Sequence, residues 1–331
     1  MSLAISPMSV GDIFDKIIKL IGKTALRNFI IALIIVAPAT VVFTYGIDTF
    51  LSTVLEIVRE HGTIEKANPE SLAALSGGFI VVSVSLLLFG MATLAATLGI
   101  IIVACGEMTG RSLTWNEALA MTFDMRLLYA FGQVILQYLA IGSLIAIPFL
   151  VVVMAGIAQM VVVGLLGGFL FVPAIFLSTF LAVRWAFTLQ IIACEDAGVV
   201  ESFKRSWHVV GGLWWRTFGV LILLTLVAQF AISIITTPIS LIVLWDFFAE
   251  YFKILGSLGT ANPDPSVFLE MFDSLGIGIG IMTCLSTIFS LLFTPLATTV
   301  MYFDLRARKG EFTRSEPPDV YARDNERSSE N

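Results

Sequence analysis

The chain has 331 residues, a formal net charge of −6 and a strongly apolar composition. Hydrophobic residues make up 57% of it and charged residues only 13%, whereas charged residues are about 25% of an ordinary soluble domain. This balance excludes an ordinary soluble globular protein and indicates a chain that lies largely within a lipid bilayer.

Five long stretches of the sequence contain no charged residue. They are 28–47, 71–106, 127–183, 217–245 and 274–303. A helix of about 20 apolar residues crosses a bilayer core about 30 Å thick, and each stretch reaches that length. The third stretch has 57 residues and would rise roughly 85 Å as one helix, so we predict that it folds back around 156–159. The sequence therefore predicts an all-α, polytopic transmembrane helical bundle with six spans.

The predicted domain organisation is a membrane domain over residues 1–310, followed by a disordered cytoplasmic tail over 311–331. The tail is charged and poor in apolar residues, which is typical of chains that cannot bury a core. The predicted spans lie at about 28–48, 77–106, 127–155, 161–192, 214–241 and 274–303.

The distribution of Lys and Arg predicts the orientation of the chain in the membrane. Of the 19 positive residues, 16 fall in the N-terminal segment, the loops after the second and fourth spans, and the C-terminal tail. In membrane proteins the cytoplasmic loops carry the excess of Lys and Arg. We therefore predict a multi-pass protein with both termini in the cytoplasm.

A short amphipathic segment precedes each odd-numbered span. The three segments lie at about 9–26, 113–126 and 199–212. Each places apolar residues at helical spacing and charged residues between them, the pattern of helices that lie in the headgroup plane. Asp12, Glu117 and Glu201 open the three segments, and each following span contains a proline. We interpret them as cytoplasmic-side interfacial helices in a degenerate repeat of three units.

Small residues recur four positions apart within the predicted spans. The pairs are Ala92/Ala96, Ala95/Gly99, Gly164/Gly168 and Gly276/Gly280. Small residues let helix backbones approach closely where lipid supplies no hydrophobic drive for helix association. We interpret these pairs as positions of tight helix packing.

The three cysteines, Cys105, Cys194 and Cys284, are dispersed inside or at the ends of apolar runs. An odd and dispersed set argues against a disulfide framework and against a thiolate metal site. His61 and His208 are the only histidines and lie far apart in the sequence, which argues against a zinc site. We predict that the protein holds no metal and no cofactor.

Arg184 is the one ionisable residue clearly inside an apolar helix. An intramembrane charge is a functional candidate by default. Glu195 follows only eleven residues later, however, so a snorkelling side chain or an ion pair with Glu195, Asp196 or Glu201 also explains Arg184. We favour the structural interpretation.

Gln133 and Gln137 lie one helical turn apart in the third span. They either face a polar cavity or make hydrogen bonds between helices, and we favour the hydrogen bonds.

The sequence contains no recognisable catalytic constellation. No Asp or Glu lies deep in a span, and there is no paired-histidine metal signature, nucleophile elbow or Walker A loop. We therefore predict no enzymatic activity and no catalytic residues.

The segment 184–224 is the most distinctive part of the sequence. An acidic residue closes a span, a Glu-Ser-Phe-Lys-Arg-Ser-Trp helix follows, and Gly-Leu-Trp-Trp-Arg enters the next span. With the tail sequence Tyr-Phe-Asp-Leu-Arg-Ala-Arg at 302–308 and the opening Ser-Val-Gly-Asp-Ile at 9–13, it resembles the membrane domain of some bacterial glycerophosphodiester phosphodiesterases. Many stand-alone, uncharacterised prokaryotic membrane proteins are similar. The matching positions are Glu195, Gly198, Glu201, Ser202, Phe203, Arg205, Ser206, Trp207, Gly211 or Gly212, Trp215 and Arg216.

The resemblance implies a membrane architecture in a prokaryotic plasma membrane. It implies no hydrolase activity, because this sequence lacks the catalytic barrel with its histidines and metal-binding carboxylates.

Together these features predict a non-enzymatic integral membrane protein that contacts lipid headgroups and scaffolds another membrane or cytoplasmic protein, with no nucleic-acid partner. The alternative is a transporter or permease for a lipid-like or small hydrophobic solute, which the proline-broken spans and Arg184 suggest. The candidate lipid or partner contacts are Arg184, Glu195, Glu201, Arg205, Trp207, Trp215 and Arg216, and the candidate cavity residues are Gln133 and Gln137.

Overall fold

The computed structural model describes residues 6–63, 68–257, 272 and 275–312. All regular secondary structure in these ranges is helical, which confirms the predicted all-α class. The predicted disorder of residues 313–331 lies outside the described residues.

The helices follow one another through short connections. They are α1 (Val10–His61), α2 (Pro69–Thr109), α3 (Trp115–Thr122), α4 (Met125–Ile157), α5 (Val161–Arg184), α6 (Thr188–Glu195), α7 (Val199–Val210), α8 (Trp214–Val243), α9 (Trp245–Ser257) and α10 (Leu275–Arg308).

Six helical segments in the described residues are long and apolar enough to cross a membrane. They are α1, α2, α4, α5 together with α6, α8 and α10. The number of spans is the one predicted, and the protein is a multi-pass membrane protein. The fold-back in the long uncharged stretch lies between α4 and α5, where Gln159 adopts a left-handed conformation with a φ of 55°.

The first predicted interfacial segment is not a separate helix. Helix α1 runs unbroken for 52 residues and contains both the segment predicted at 9–26 and the span predicted at 28–48. No proline, the residue that breaks helices most strongly, occurs in α1 before Pro38. Ile13 and Ile17 are fully buried, so the apolar side of the amphipathic part packs inside the protein.

Helix α3 has only eight residues, fewer than the predicted segment 113–126. Thr114 and Glu117 form a capping box, in which each side chain accepts a hydrogen bond from the other residue's backbone N–H. This reciprocal capping fixes where the helix begins. The helix ends at Thr122, and Asp124 is the N-cap of α4, so the predicted segment divides between two helices.

The fourth span is interrupted, whereas the sequence predicted one helix at 161–192. Helix α5 ends at Arg184 and α6 begins at Thr188. The hydroxyl of Ser206 on α7 donates to the carbonyl of Arg184 (2.8 Å) and accepts from the backbone N–H of Phe187 (3.3 Å). Buried backbone groups need hydrogen-bond partners, and this one side chain supplies two of them at the break.

The chain forms two compact units. Unit 1 contains Met1–Ala25, Thr97–Thr225 and Thr294–Asn331, and unit 2 contains Leu26–Ala96 and Leu226–Phe293. The core of unit 1 includes Phe187 and Tyr302, which are fully buried and stack with ring centroids 6.1 Å apart. Every candidate residue named from the sequence belongs to unit 1.

Close helix packing in unit 1 occurs at Gly167. A Cβ atom at this position would lie 2.9 Å from Val151 Cγ1 on the neighbouring α4. A Cβ at Gly164 would make an ordinary contact with Ala155, and one at Gly168 would meet nothing within 4 Å. The packing interpretation of Gly168 is therefore wrong: the glycine of α5 that approaches α4 closely is Gly167, three residues after Gly164.

In unit 2 the pair Gly276/Gly280 does mark a close approach, between α10 and α1. A Cβ at Gly276 would lie 2.7 Å from Asp48 Oδ1 and 3.0 Å from its Cα. A Cβ at Gly280 would lie 2.6 Å from Thr44 Cγ2 and 2.7 Å from its Cβ. Both glycines face α1, as the four-residue spacing predicts.

Candidate functional site

Helix α7 carries most of the candidate residues. It begins after Gly198, its N-cap, and ends before Gly211, with Gly212 in the left-handed region at a φ of +76°, a conformation that glycine adopts without strain. The buried face consists of Ser202, Ser206, Val209 and Val210. Glu201 and Trp207 are exposed, so α7 presents one face to the core of unit 1 and another outward.

The first polar feature, here called the Glu195 cluster, joins α6, α7 and the end of α10. It contains Glu195, Arg205, Tyr302, Arg306 and Glu311. Arg205 donates to both oxygens of Glu195, from Nε (3.0 Å) and from Nη2 (3.2 Å). The Tyr302 hydroxyl donates to the same carboxylate, and Arg306 Nη1 lies 3.5 Å from it. Two-pronged pairing with arginine fixes the position of the carboxylate.

Glu311 completes the Glu195 cluster from the other side. Its Oε2 accepts hydrogen bonds from Arg205 Nη2 (2.7 Å) and Arg306 Nε (2.6 Å). Glu311 was assigned to the tail predicted at 311–331, yet here it binds α7 and α10 directly.

These hydrogen bonds shift the pKa values of two members of the Glu195 cluster, Arg205 and Glu311. Burial alone would lower the pKa of Arg205, but its bonds to Glu195 and Glu311 hold that pKa above the ordinary value. Burial alone would raise the pKa of Glu311, but bonds from Arg205 and Arg306 hold it below the ordinary value of 4.5. The stability contributed by Glu311 is therefore present above pH 4.5 and is lost as the pH falls through its lower folded-state pKa.

The second polar feature, here called the Asp304 cluster, contains Met8, Arg216, Asp304 and Arg308. The Asp304 side chain is 0% exposed. It accepts hydrogen bonds from the Met8 backbone N–H (2.7 Å), Arg216 Nη2 (2.9 Å) and Arg308 Nε (3.1 Å). Arg216 and Arg308 also donate to the Met8 carbonyl. The cluster ties α8 and α10 to the segment that precedes α1.

Arg184 is held by aromatic residues. Its guanidinium lies 4.6 Å from the centroid of the Trp207 ring and 5.3 Å from that of Phe180, and Nη1 donates to the Trp207 carbonyl (3.1 Å). Stacking on aromatic faces and hydrogen bonding to backbone suit the planar guanidinium. The expected ion pair with Glu195, Asp196 or Glu201 is replaced by this contact with α7.

Asp196 pairs instead with Arg126, whose Nε lies 3.1 Å from Asp196 Oδ1. Asp196 adopts a left-handed conformation at the end of α6, and Arg126 is buried in the first turn of α4. Sequence reasoning counted Arg126 only among the positive residues that predict the orientation of the chain in the membrane.

Two tryptophans project from this part of unit 1. Trp215 is 78% exposed and Trp207 is 40% exposed. Trp214 lies between other rings, with its centroid 4.7 Å from Trp215 and 5.8 Å from Phe180. Trp207 thus contacts Arg184 directly, and Trp215 is linked through Trp214 to Phe180, the other ring that holds Arg184.

The candidate cavity residues contact each other. Gln133 is 1% exposed, and its side-chain amide donates to Gln137 Oε1 within the same helix. Gln133 Oε1 has no hydrogen-bond partner among the described residues. The hydrogen bond lies within α4 rather than between helices.

The structure thus places the candidate contacts in three groups. Glu195 and Arg205 meet in the Glu195 cluster, Arg184 and Trp207 meet at the start of the break in the fourth span, and Arg216 belongs to the Asp304 cluster. Glu201 and Trp215 are exposed and project outward.

Sequence reasoning missed Tyr302, Asp304, Arg306 and Glu311 as site residues. A signal was present in the spacing of the tail motif. Tyr302 and Arg306 are four residues apart, as are Asp304 and Arg308, so each pair shares one face of a helix. Those two faces are the ones that enter the two clusters.

The expectation of no disulfide is wrong for two of the three cysteines. Cys105 at the end of α2 and Cys194 near the end of α6 form a disulfide, with their Cα atoms 5.9 Å apart. Their separation of 89 residues in the sequence concealed the pairing, because the folding of α2 beside α6 is a tertiary event. In the described residues no group of three or more His, Cys, Asp and Glu side chains could hold a metal ion.

Comparison with known proteins locates the chain in a family. No curated protein and no solved structure matches the chain. One family model matches residues 34–305, which is most of the sequence and includes α2 to α9. The chain therefore belongs to the family described as Domain of unknown function (DUF7847).

Proposed function

We propose that this protein is a non-enzymatic membrane module that binds anionic lipid headgroups beside α7 and scaffolds a partner protein. The observation that carries the proposal is Trp215, which is 78% exposed and is followed directly by Arg216 at the start of an apolar span. Tryptophan is enriched at the level of the headgroups, where its ring meets hydrocarbon and its N–H meets water.

Positive charge near the exposed indoles supports an anionic headgroup. Lys204 is exposed on α7, and Lys309 is exposed where its Nζ donates to the carbonyl of Gly211 at the end of that helix (2.7 Å). Each Lys or Arg near an anionic bilayer surface contributes about 1 kcal/mol of attraction. Together with the indoles of Trp207 and Trp215, these two cations give the surface around α7 the composition of an interfacial anchor.

The proposal includes the orientation of the chain in the membrane. The segments rich in Lys and Arg, including α7 and both termini, face the cytoplasm of a prokaryotic cell. Anionic lipids at that surface are then the ligands of the α7 side. Glu201, which is exposed on α7, is left for a protein partner.

Lipid binding is tested by native mass spectrometry after mild detergent extraction, with phosphatidylglycerol and phosphatidylcholine as probes. We expect the Trp207→Ala/Trp215→Ala variant to retain several-fold less phosphatidylglycerol than the wild type. Phe169→Ala, which removes an exposed ring from the apolar α5, is the matched control and should retain lipid normally. Equal retention by the tryptophan variant and the wild type would refute headgroup binding at α7.

The partner is tested by a photo-crosslinking residue placed at position 201. A defined adduct at this position, absent from a probe at Asp15, is expected if α7 docks a protein.

A second candidate function is transport of a small solute, and one observation favours it. Gln133 Oε1 is a buried acceptor without a hydrogen-bond partner among the described residues, and buried acceptors normally have one. A solute or water passing α4 would supply the missing donor. Solute flux in proteoliposomes that Gln133→Leu abolishes would favour transport over scaffolding.

A further inference from the structure

Two guanidinium groups converge on one carboxylate oxygen in the Glu195 cluster. Arg205 Nη2 and Arg306 Nε lie 2.7 and 2.6 Å from Glu311 Oε2. The two arginines come from different helices, α7 and α10, so the fold rather than local sequence brings them together. Paired arginines in this arrangement suit an anion with several acceptor oxygens.

Arg306, the more buried arginine of the pair, is fixed in place. Arg306 is 5% exposed, and its guanidinium lies 5.0 Å from the ring centroid of Phe312 and 5.4 Å from that of Tyr302. Packing between rings holds a guanidinium in one orientation. The donors of Arg306 are therefore directed before any ligand arrives.

One donor in this arrangement is unused. Nη1 of Arg306 is buried and makes no hydrogen bond among the described residues. Its distance of 3.5 Å from Glu195 Oε1 is too long for a charge-assisted hydrogen bond. Nη1 lies on the opposite edge of the guanidinium from Nε, so it is directed toward Glu195, and Nε is the donor of Arg306 that faces Glu311.

Glu311 reaches the arginines from a short turn beyond α10. Gly310 adopts a φ of +76°, and the Glu311 N–H donates to the Arg306 carbonyl (3.2 Å). The Glu311 side chain keeps about a fifth of its surface in contact with solvent, and Arg205 about a quarter. The pair of arginines can thus be reached from outside once the carboxylate moves away.

We propose that Arg205 and Arg306 form a binding site for a phosphate monoester, and that Glu311 occupies this site when the phosphate is absent. A phosphate monoester carries a charge of about −1.5 to −2 and three strong acceptor oxygens. It can therefore accept from Arg205 Nη2 and Arg306 Nε, the two donors that now bind Glu311. The inference rests on the proposed function in one respect, because a lipid headgroup is one of the two sources of such a phosphate.

The test uses the full chain in detergent and two probes. Isothermal titration with inorganic phosphate measures a free anion, and native mass spectrometry with phosphatidic acid against phosphatidylcholine measures a headgroup. Glu311→Gln removes the competing charge, and we expect it to raise phosphate or phosphatidic acid affinity by about tenfold, which corresponds to about 1.4 kcal/mol. Glu201→Gln, on the exposed face of α7, is the matched control and should leave both affinities unchanged.

A second variant keeps the test decisive. Arg205→Lys preserves the charge opposite Glu195 but removes the planar fork, so Glu311→Gln/Arg205→Lys should lose the gain. A gain confined to phosphatidic acid identifies a lipid ligand, and a gain with both probes identifies the phosphate group itself. The inference is overturned if Glu311→Gln binds neither probe more tightly, or if the double variant keeps the gain.

The two proposals fail in different measurements. Loss of phosphatidylglycerol from the Trp207→Ala/Trp215→Ala variant reports headgroup binding at α7 and does not depend on Glu311. A normal Trp result with no response to Glu311→Gln would leave the proposed function standing and remove the phosphate site.

Discussion

Removing the charge of Asp304 should destabilise unit 1 more than any other single change in a carboxylate discussed above. Asp304→Asn preserves the shape of the side chain but leaves Arg216 and Arg308 without their common anion, and the Met8 N–H loses a charged acceptor. Breaking a buried ion pair by removing one partner costs about 3–5 kcal/mol. Arg216 and Arg308 each keep about a quarter of their surface in solvent, so water screens part of the loss. We therefore expect a cost of about 3 kcal/mol.

The corresponding fall in melting temperature is about 6–12 °C for a unit of 150–250 residues. It can be followed by the intrinsic fluorescence of the six tryptophans during heating in detergent. Asp15→Asn removes an exposed carboxylate from α1 and should change the stability by less than about 0.5 kcal/mol. The double variant Asp304→Asn/Arg216→Met should cost less than the sum of its single changes, because it removes one of the stranded charges. A melting temperature for Asp304→Asn no lower than that of Asp15→Asn would refute the reasoning.

Two further outcomes are expected. Gly280→Ala should destabilise the α1–α10 contact by about 1–3 kcal/mol, because the new methyl group would lie 2.7 Å from Thr44 Cβ, an atom that no rotamer change can move away. Gly90→Ala is the control: its methyl group meets nothing within 4 Å, so it should not lower the melting temperature. Alkylation of the unfolded protein without reductant should label only Cys284, since Cys105 and Cys194 are bonded, and labelling of all three thiols would contradict the disulfide.

The course of the polypeptide near the fourth span shows where local sequence ceases to decide the structure. Residues 161–192 contain the apolar run of a continuous helix. The helix nevertheless breaks at Arg184, because Ser206 from α7 satisfies backbone groups on both sides of the break. A serine 22 residues away cannot be assigned that role from its neighbours in the sequence.

The partners of Arg184 also depend on the tertiary structure. Sequence reasoning singled out Arg184 as a charge within an apolar stretch and offered acidic partners that lie nearby in the chain. Its guanidinium stacks on Trp207 and Phe180 instead, because α7, which follows α6, returns to the end of α5 and brings an indole within reach.

The sequence by itself determined the class of the molecule. Uncharged stretches long enough to cross a bilayer, and the fold-back in the longest of them, depend only on hydrophobicity and helix length, which are local properties. The amphipathic character of α7 and the four-residue spacing of Gly276 and Gly280 are local in the same sense. From these features the six spans and the close approach of α10 to α1 at Gly276 and Gly280 could be predicted without knowledge of the fold.

Only the tertiary structure decided which polar residues meet. Glu195 and Tyr302 are 107 residues apart in the chain, and Met8 and Asp304 are 296 apart. Cys105 and Cys194, which sequence reasoning left unpaired, are joined in the same way. Charges in a largely apolar protein must find partners when they are removed from water, but which partner each one finds depends on how the helices are brought together.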